Sequence, residues 1–201
     1  MCLRCGRCCT SFGVCVTPSD IARIARETGE APETFVMAIP EQPGRQRAEP
    51  AVLIDGERSL VVLRYREAQG ARFCPFYSPG GCSIYGARPM LCRTYPFVLA
   101  GHGVAGMKGR VCPRDWKPSG KRQYVADLEQ YHREVERYAK MAAGWNRGKG
   151  GGLDAFLRFA LRAAGGPPEP PNEPPEPEEP EEPEEPEEPD EPDEPEESNP
   201  P

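Results

Sequence analysis

Cys2, Cys5, Cys8 and Cys9 open the chain in the run MCLRCGRCC, and Cys74, Cys82, Cys92 and Cys112 follow in its middle. Thiolate sulfur is a ligand for soft and borderline metals. Cysteines clustered this densely point to metal binding before any other chemistry. Two residues separate Cys2 from Cys5 and Cys5 from Cys8, so consecutive tight turns can bring three sulfurs around one centre. Gly6 lets backbone amides approach those sulfurs closely. Neighbouring side chains in extended backbone point to opposite sides. Cys8 and Cys9 therefore need not serve the same centre. These eight cysteines suffice for two four-thiolate centres, or for one cluster with spare ligands. The first group has too few separate ligands for two centres, and the second has no close pair to start one. A shared site requires the two groups to meet in space.

Zinc and iron–sulfur compete for this pattern. Four-thiolate zinc sites use paired knuckles, with two residues between the cysteines of each pair. The first group offers such pairs, but the intervals in the second hold 7, 9 and 19 residues. That tips the reading toward an iron–sulfur centre, with zinc as the alternative. A bacterial ferredoxin would place its fourth cysteine four residues after the third, before a proline. Here Cys9 follows Cys8 directly and precedes Thr10, so a ferredoxin is not supported. Arg4, Arg7, Arg93, Arg110 and Arg114 flank the cysteines, where guanidiniums favour the thiolate form; solubility or nucleic-acid contact explains them equally well. Cys15 reads as a buried structural residue. His102, in a Gly-rich turn, and His132, on a polar helix face, read as solvent-facing. No phosphate-binding loop, nucleophile elbow or nicotinamide fingerprint is present, and no residue is assigned a catalytic role.

The elements that must hold these cysteines are short. Thr17, Pro18 and Asp20 start a helix as cap, first-turn proline and capping-box acid, and Gly29 ends it. Ile21, Ala22, Ile24 and Ala25 form its apolar stripe. A second helix is expected from Pro32 through PETFVMAI. Two β-rich runs around Asp55-Gly56 predict a hairpin. ARPMLCRTY predicts a short helix carrying Cys92, and FVLAGHGVAGM a small hairpin turning at 101–103. A long helix is expected from Lys121 to Met141, with Tyr124, Leu128, Tyr131, Val135 and Tyr138 facing the core. NRGKGGG reads as a flexible joint before a last helix that buries Leu153, Phe156, Leu157, Ala160 and Leu161. The fold class is α+β: a small Cys-rich, metal-stabilised domain over 1–118, C-terminal helices packed on it over 119–166, and a disordered acidic tail over 167–201.

That tail holds 15 prolines, 17 acids and no aliphatic residue. It cannot bury enough apolar surface to offset the entropy of ordering it. All 25 Lys and Arg precede it, beside 15 of the 32 acids, so residues 1–166 carry +10 and the tail −17. A basic body suits an anionic partner, which the tail could screen. The apolar runs are too short to cross a membrane, and no secretory h-region is evident. A reducing, cytoplasmic setting follows as the expectation, where cysteines serve metals or redox chemistry before disulfides.

CLRCGRCC followed by CPFYSPGGCSIYGARPMLCRTYPF resembles the YkgJ-type CxxCxxCC cysteine-cluster family, described as zinc- or iron-chelating domains and often labelled iron–sulfur proteins. The resemblance spans about residues 2–112. It implies metal roles for Cys2, Cys5, Cys8, Cys9, Cys74, Cys82, Cys92 and Cys112. It also implies that Arg88, Pro89, Arg93, Tyr95 and Pro96 shape the site. The function expected is a metal-binding or redox module, in one form an iron–sulfur oxidoreductase component with a protein redox partner. The alternative is a nucleic-acid-binding protein whose metal is purely structural.

Overall fold

Thr17 starts the first long helix as its sequence dictates. Its side chain accepts from the Asp20 backbone N–H at 3.1 Å, and the Asp20 carboxylate accepts from the Thr17 N–H at 3.0 Å. The reciprocal box caps α1 (Pro18–Thr28), and Gly29 ends it in the left-handed conformation at φ +71°. In the computed structural model the residues described are 4–11, 13–42, 44, 47–68, 71–100, 103–107, 110–112 and 121–165. They belong to one unit, Met1–Pro167, and the acidic tail lies outside the described residues.

The helix expected through PETFVMAI stops early. Only α2 (Pro32–Phe35) is helical, and Val36–Pro40 is strand β1. The reason is non-local. The hairpin of β2 (Val52–Ile54) and β3 (Glu57–Leu63) turns at Asp55-Gly56 with φ +50° and +82°, as a two-residue hairpin requires. Five successive residues of β3, Ser59 to Leu63, are buried. β1 pairs along that strand from Val36 opposite Leu63 to Pro40 opposite Ser59, so β3 is central in the order β1-β3-β2. Strand pairing and burial override the local helical tendency. Val61 and Leu63 face the main core with Ile24, Phe35 and Phe156; Leu60 and Val62 face a smaller cluster with Cys15 and Ala51.

Residues 14–16 occupy the edge of β3 that β2 leaves open. The Val16 N–H donates to Val61 O at 3.1 Å, and the Leu63 N–H to Val14 O at 2.8 Å. The cysteine-rich N-terminus is thereby tied to the sheet. Cys15, at the bridge to Val62, is 1% exposed, the buried structural position expected of it.

Three short antiparallel pairs follow: β4 (Arg66–Ala68) with β5 (Ala71–Phe73), β6 (Tyr77–Ser78) with β7 (Gly81–Cys82), and, after α3 (Met90–Thr94), β8 (Phe97–Ala100) with β9 (Gly103–Gly106). α4 runs from Lys121 to Arg147, longer than expected, with Tyr124, Leu128, Tyr131 and Tyr138 buried. Val135 is only half-buried, and its neighbour Glu134 is buried instead. α5 (Leu153–Ala163) sinks Phe156, Leu157 and Ala160 completely into the core shared with α1 and the sheet.

The joint between α4 and α5 is a pinned turn rather than a flexible one. Trp145 Nε1 donates to Leu53 O at 2.7 Å, the Leu53 N–H donates to Asn146 Oδ1 at 2.8 Å, and the Asp55 N–H donates to Gly151 O at 2.9 Å. Gly150 sits at φ +73°, and a Cβ there would approach Leu53 O to 2.5 Å. Gly150→Ala should therefore cost about 2 kcal/mol in denaturant unfolding, the scale of local backbone strain. Gly29→Ala, where the Cβ would meet open space at a similar φ, should cost less. Equal losses at the two positions would remove the packing argument.

Candidate metal centre

The N-terminal run folds into a tight turn before it reaches the sheet. Cys8–Thr10 is one 3-10 turn, and the Thr10 N–H donates to Gly6 O at 3.2 Å. Gly6 has φ +72°, and a Cβ on it would overlap the Tyr77 ring. Glycine is required there because the run lies directly against the second cysteine segment. The two groups meet through the backbone: the Cys74 N–H donates to Cys9 O at 2.8 Å.

Each later cysteine has its own support. The Tyr77 N–H donates to Cys74 O at 3.1 Å, and Tyr77 pairs with Cys82 across β6 and β7. Cys92 lies in the middle of α3. Pro89, at its N-cap, provides no side-chain cap. Asp20 supplies one from a distance: the Met90 N–H donates to Asp20 Oδ1 at 2.9 Å. One carboxylate thus caps α1 and α3 together. Tyr124 donates its hydroxyl hydrogen to Thr94 O, fixing the end of α3 on α4. The Val111 N–H donates to the Tyr95 hydroxyl oxygen at 2.7 Å, which holds the residue beside Cys112.

Seven of the cysteines, Cys5, Cys8, Cys9, Cys74, Cys82, Cys92 and Cys112, line one cavity of about 300 Å³. Cys2 lies outside the described residues, as do His102 and Arg114. His132 is exposed on α4, 3.2 Å from Glu136. Among the described residues, no three His, Cys, Asp or Glu side chains stand at the spacing of a preformed metal site. The fold gathers the thiols around a common space.

The donor set fits a soft or borderline cation. Cys5 is exposed, and the other six are half-buried and disulfide-free. Burial pushes the Cys74 thiol up to about 11, aided by Cys82 and Cys8. Cys92 is raised well above the ordinary thiol value, again by burial first and then by Cys74 and Cys8. Cys8 is raised chiefly by its hydrogen bond with Cys9, and then by burial. Neutral thiols are the stable form in such a place until a cation offsets both burial and mutual repulsion, so loading must release protons. Loading should therefore weaken steeply as pH falls, with proton release measurable in a weakly buffered zinc or iron titration. Release of less than one proton per metal would contradict the thiolate donor set.

Arginines also reach the cavity: Arg4 and Arg88 are among those expected near the site, Arg47 is not, and Arg114 lies outside the described residues. Arg4, Arg47 and Arg88 line it. Arg93 instead clamps the preceding loop, donating to Gly86 O and, from Nε at 3.2 Å, to Arg88 O. Arg47 donates from Nη1 to Cys15 Sγ at 3.1 Å and comes from a segment with no motif, so nothing in its local sequence marks it. Burial pushes the Cys15 thiol up to about 12, and it does not line the cavity.

The α+β domain gathers seven thiols around one cavity, a donor chemistry suited to chelating a metal. The chain belongs to the CxxCxxCC family, whose model, described as a putative zinc- or iron-chelating domain, matches residues 1–124. No curated protein matches the chain, and no solved structure does. No helix among the described residues is long and apolar enough to cross a membrane.

Proposed function

We propose that the cavity holds one polynuclear thiolate-bound centre, an iron–sulfur cluster in preference to zinc, and that the protein works as a redox module. The observation that carries this reading is the gathering of seven cysteines around a single cavity. A tetrahedral zinc ion takes four ligands. Seven thiols in one place suit a larger centre, or a centre with ligands in reserve. Cys8, Cys74, Cys82 and Cys92 are the inner candidates, because Cys92 feels the other three. Cys5, Cys9 and Cys112 complete the set, and Cys2 is the remaining candidate from the opening run.

An iron–sulfur cluster supplies one-electron transfer. The chain's part is to hold the sulfurs, restrict water and set the charge around them. Arg4 and Cys5 are exposed while lining the cavity, so a centre there lies within reach of a protein redox partner at the surface. Anaerobic purification followed by iron, zinc and acid-labile sulfide analysis tests this. Iron and sulfide in comparable amounts, with a brown colour and broad visible absorbance that bleaches on reduction, are expected. Colourless protein holding zinc alone would overturn the cluster.

A further inference from the structure

The cavity carries a second set of groups that thiolate ligation does not use. Tyr85 and Arg88 both line it. The guanidinium carbons of Arg4 and Arg88 lie 3.9 and 3.8 Å from the Tyr85 ring centroid. Both guanidiniums therefore pack against the Tyr85 ring. A stacked guanidinium presents its flat face to the ring and keeps its N–H edge for an acceptor in its own plane. Arg88 Nε and the Tyr85 hydroxyl are buried and have no hydrogen-bond partner. Arg88 makes no ion pair among the described residues. Buried polar atoms are almost always paired. Two orphan donors on adjoining side chains of one cavity mark the place of an absent acceptor.

The acceptor is an anion. Arg47 brings a third guanidinium to the lining, which among the described residues contains no Asp or Glu. A metal–thiolate centre takes part of this charge, but a centre held by four thiolates, with the other cysteines in reserve as neutral thiols, leaves only about two negative charges. The planar fork of an arginine matches a carboxylate better than it matches a sulfur. Leu63, Ile84 and Leu91 supply an aliphatic wall. At about 300 Å³ the cavity is at the small end for ligand sites, and the centre takes some of that room. We infer that the cavity binds a small aliphatic monocarboxylate beside the metal centre, its carboxylate on Arg88 and Tyr85 and its chain against the aliphatic wall. The site draws on no cysteine, so it stands or falls separately from the nature of the centre.

The test uses the full chain purified with its metal, titrated with butyrate against chloride at fixed ionic strength. Binding is read by calorimetry and by saturation-transfer NMR of the butyrate methyl, and metal content is measured on the same samples. Saturable binding is expected. Arg88→Gln should weaken it at least ~10-fold, as loss of a charged hydrogen bond does. Tyr85→Phe keeps the ring against the guanidiniums and removes one donor, so it should weaken binding by a smaller factor. Should Arg88→Gln lose its metal or its fold, Tyr85→Phe decides alone. Absence of saturable binding by the wild type, or equal binding by the deciding variant, overturns the site. Binding of inorganic phosphate with butyrate silent overturns the carboxylate assignment. A wild type without metal that still binds butyrate through Arg88 would sink the metal centre and leave this site standing.

Discussion

Cys92→Ser should strip the protein of its metal and of its cooperative melting together. Cys92 sits mid-helix in α3, between the cap from Asp20 and the anchor from Tyr124, so its backbone is held from both ends. Its electrostatic neighbours are Cys74, Cys8, Asp20 and Cys82. Structural zinc contributes roughly 10–16 kcal/mol in small metallodomains, as much as the whole stability of an ordinary domain, about 5–15 kcal/mol. Loss of one central ligand should therefore reach a large part of the fold. Cys15→Ser is the control, because Cys15 is buried outside the cavity. It should cost about 1–3 kcal/mol for the buried hydroxyl and leave metal content intact. The comparison needs only metal analysis and thermal melts of the two variants. If Cys92→Ser kept full metal and the wild-type melting temperature, Cys92 would not be a ligand. If Cys15→Ser lost metal as well, the boundary drawn here between ligand and core cysteines would be wrong.

The parts of this fold that were readable in the sequence are those whose causes are local. Thr17, Pro18, Asp20 and Gly29 delimit α1 because capping acts over three or four residues. Asp55-Gly56 makes its hairpin for the same kind of reason. β1 was hidden because its partner strand begins some twenty residues later, and only the buried edge of β3 makes Val36–Pro40 extended. The turn at 148–152 looked flexible by composition, yet Trp145 and Asn146 pin it to Ala51 and to Leu53 of β2. At the cavity, the chemistry of clustered sulfur announced its own residues, and Gly6 announced a close approach. Arg47 did not, since a lone arginine in a loop carries no spacing signal. Asp20 showed one of its two roles. Its bond to Met90 spans seventy positions and belongs to tertiary structure alone.

Asp20→Ala should be the other large loss, about 3–5 kcal/mol, typical of breaking a buried charged network by removing one partner. The Asp20 side chain is fully buried and accepts from the Thr17 N–H, the Met90 N–H and Arg23. Among the described residues, Arg23 would keep only Glu134, at 3.5 Å. Two helix starts would lose their acceptor at once, and one of them begins the helix that carries Cys92. Asp20→Asn keeps an acceptor oxygen but cannot titrate, so it isolates the charge. Burial pushes the Asp20 carboxyl up to about 6 from 3.8, against the pull of Arg23. Between those values the folded chain holds a proton that the unfolded chain has released, so stability falls as pH rises through this window. By pH 7 the ionised carboxylate carries a cost of about 3 kcal/mol relative to its protonated form. Wild type should therefore gain on Asp20→Asn as pH is lowered from 7 to 5, by somewhat more than 1 kcal/mol. Taking the difference between the two proteins cancels the titrations that Asp20 does not touch, and metal content is measured at each pH because the Asp20 charge also acts on Cys92. Denaturant unfolding of both at pH 5, 6 and 7 gives the number. A difference that stays constant with pH would show that the Asp20 carboxyl titrates alike in the folded and unfolded chains, and that its burial carries no charge penalty.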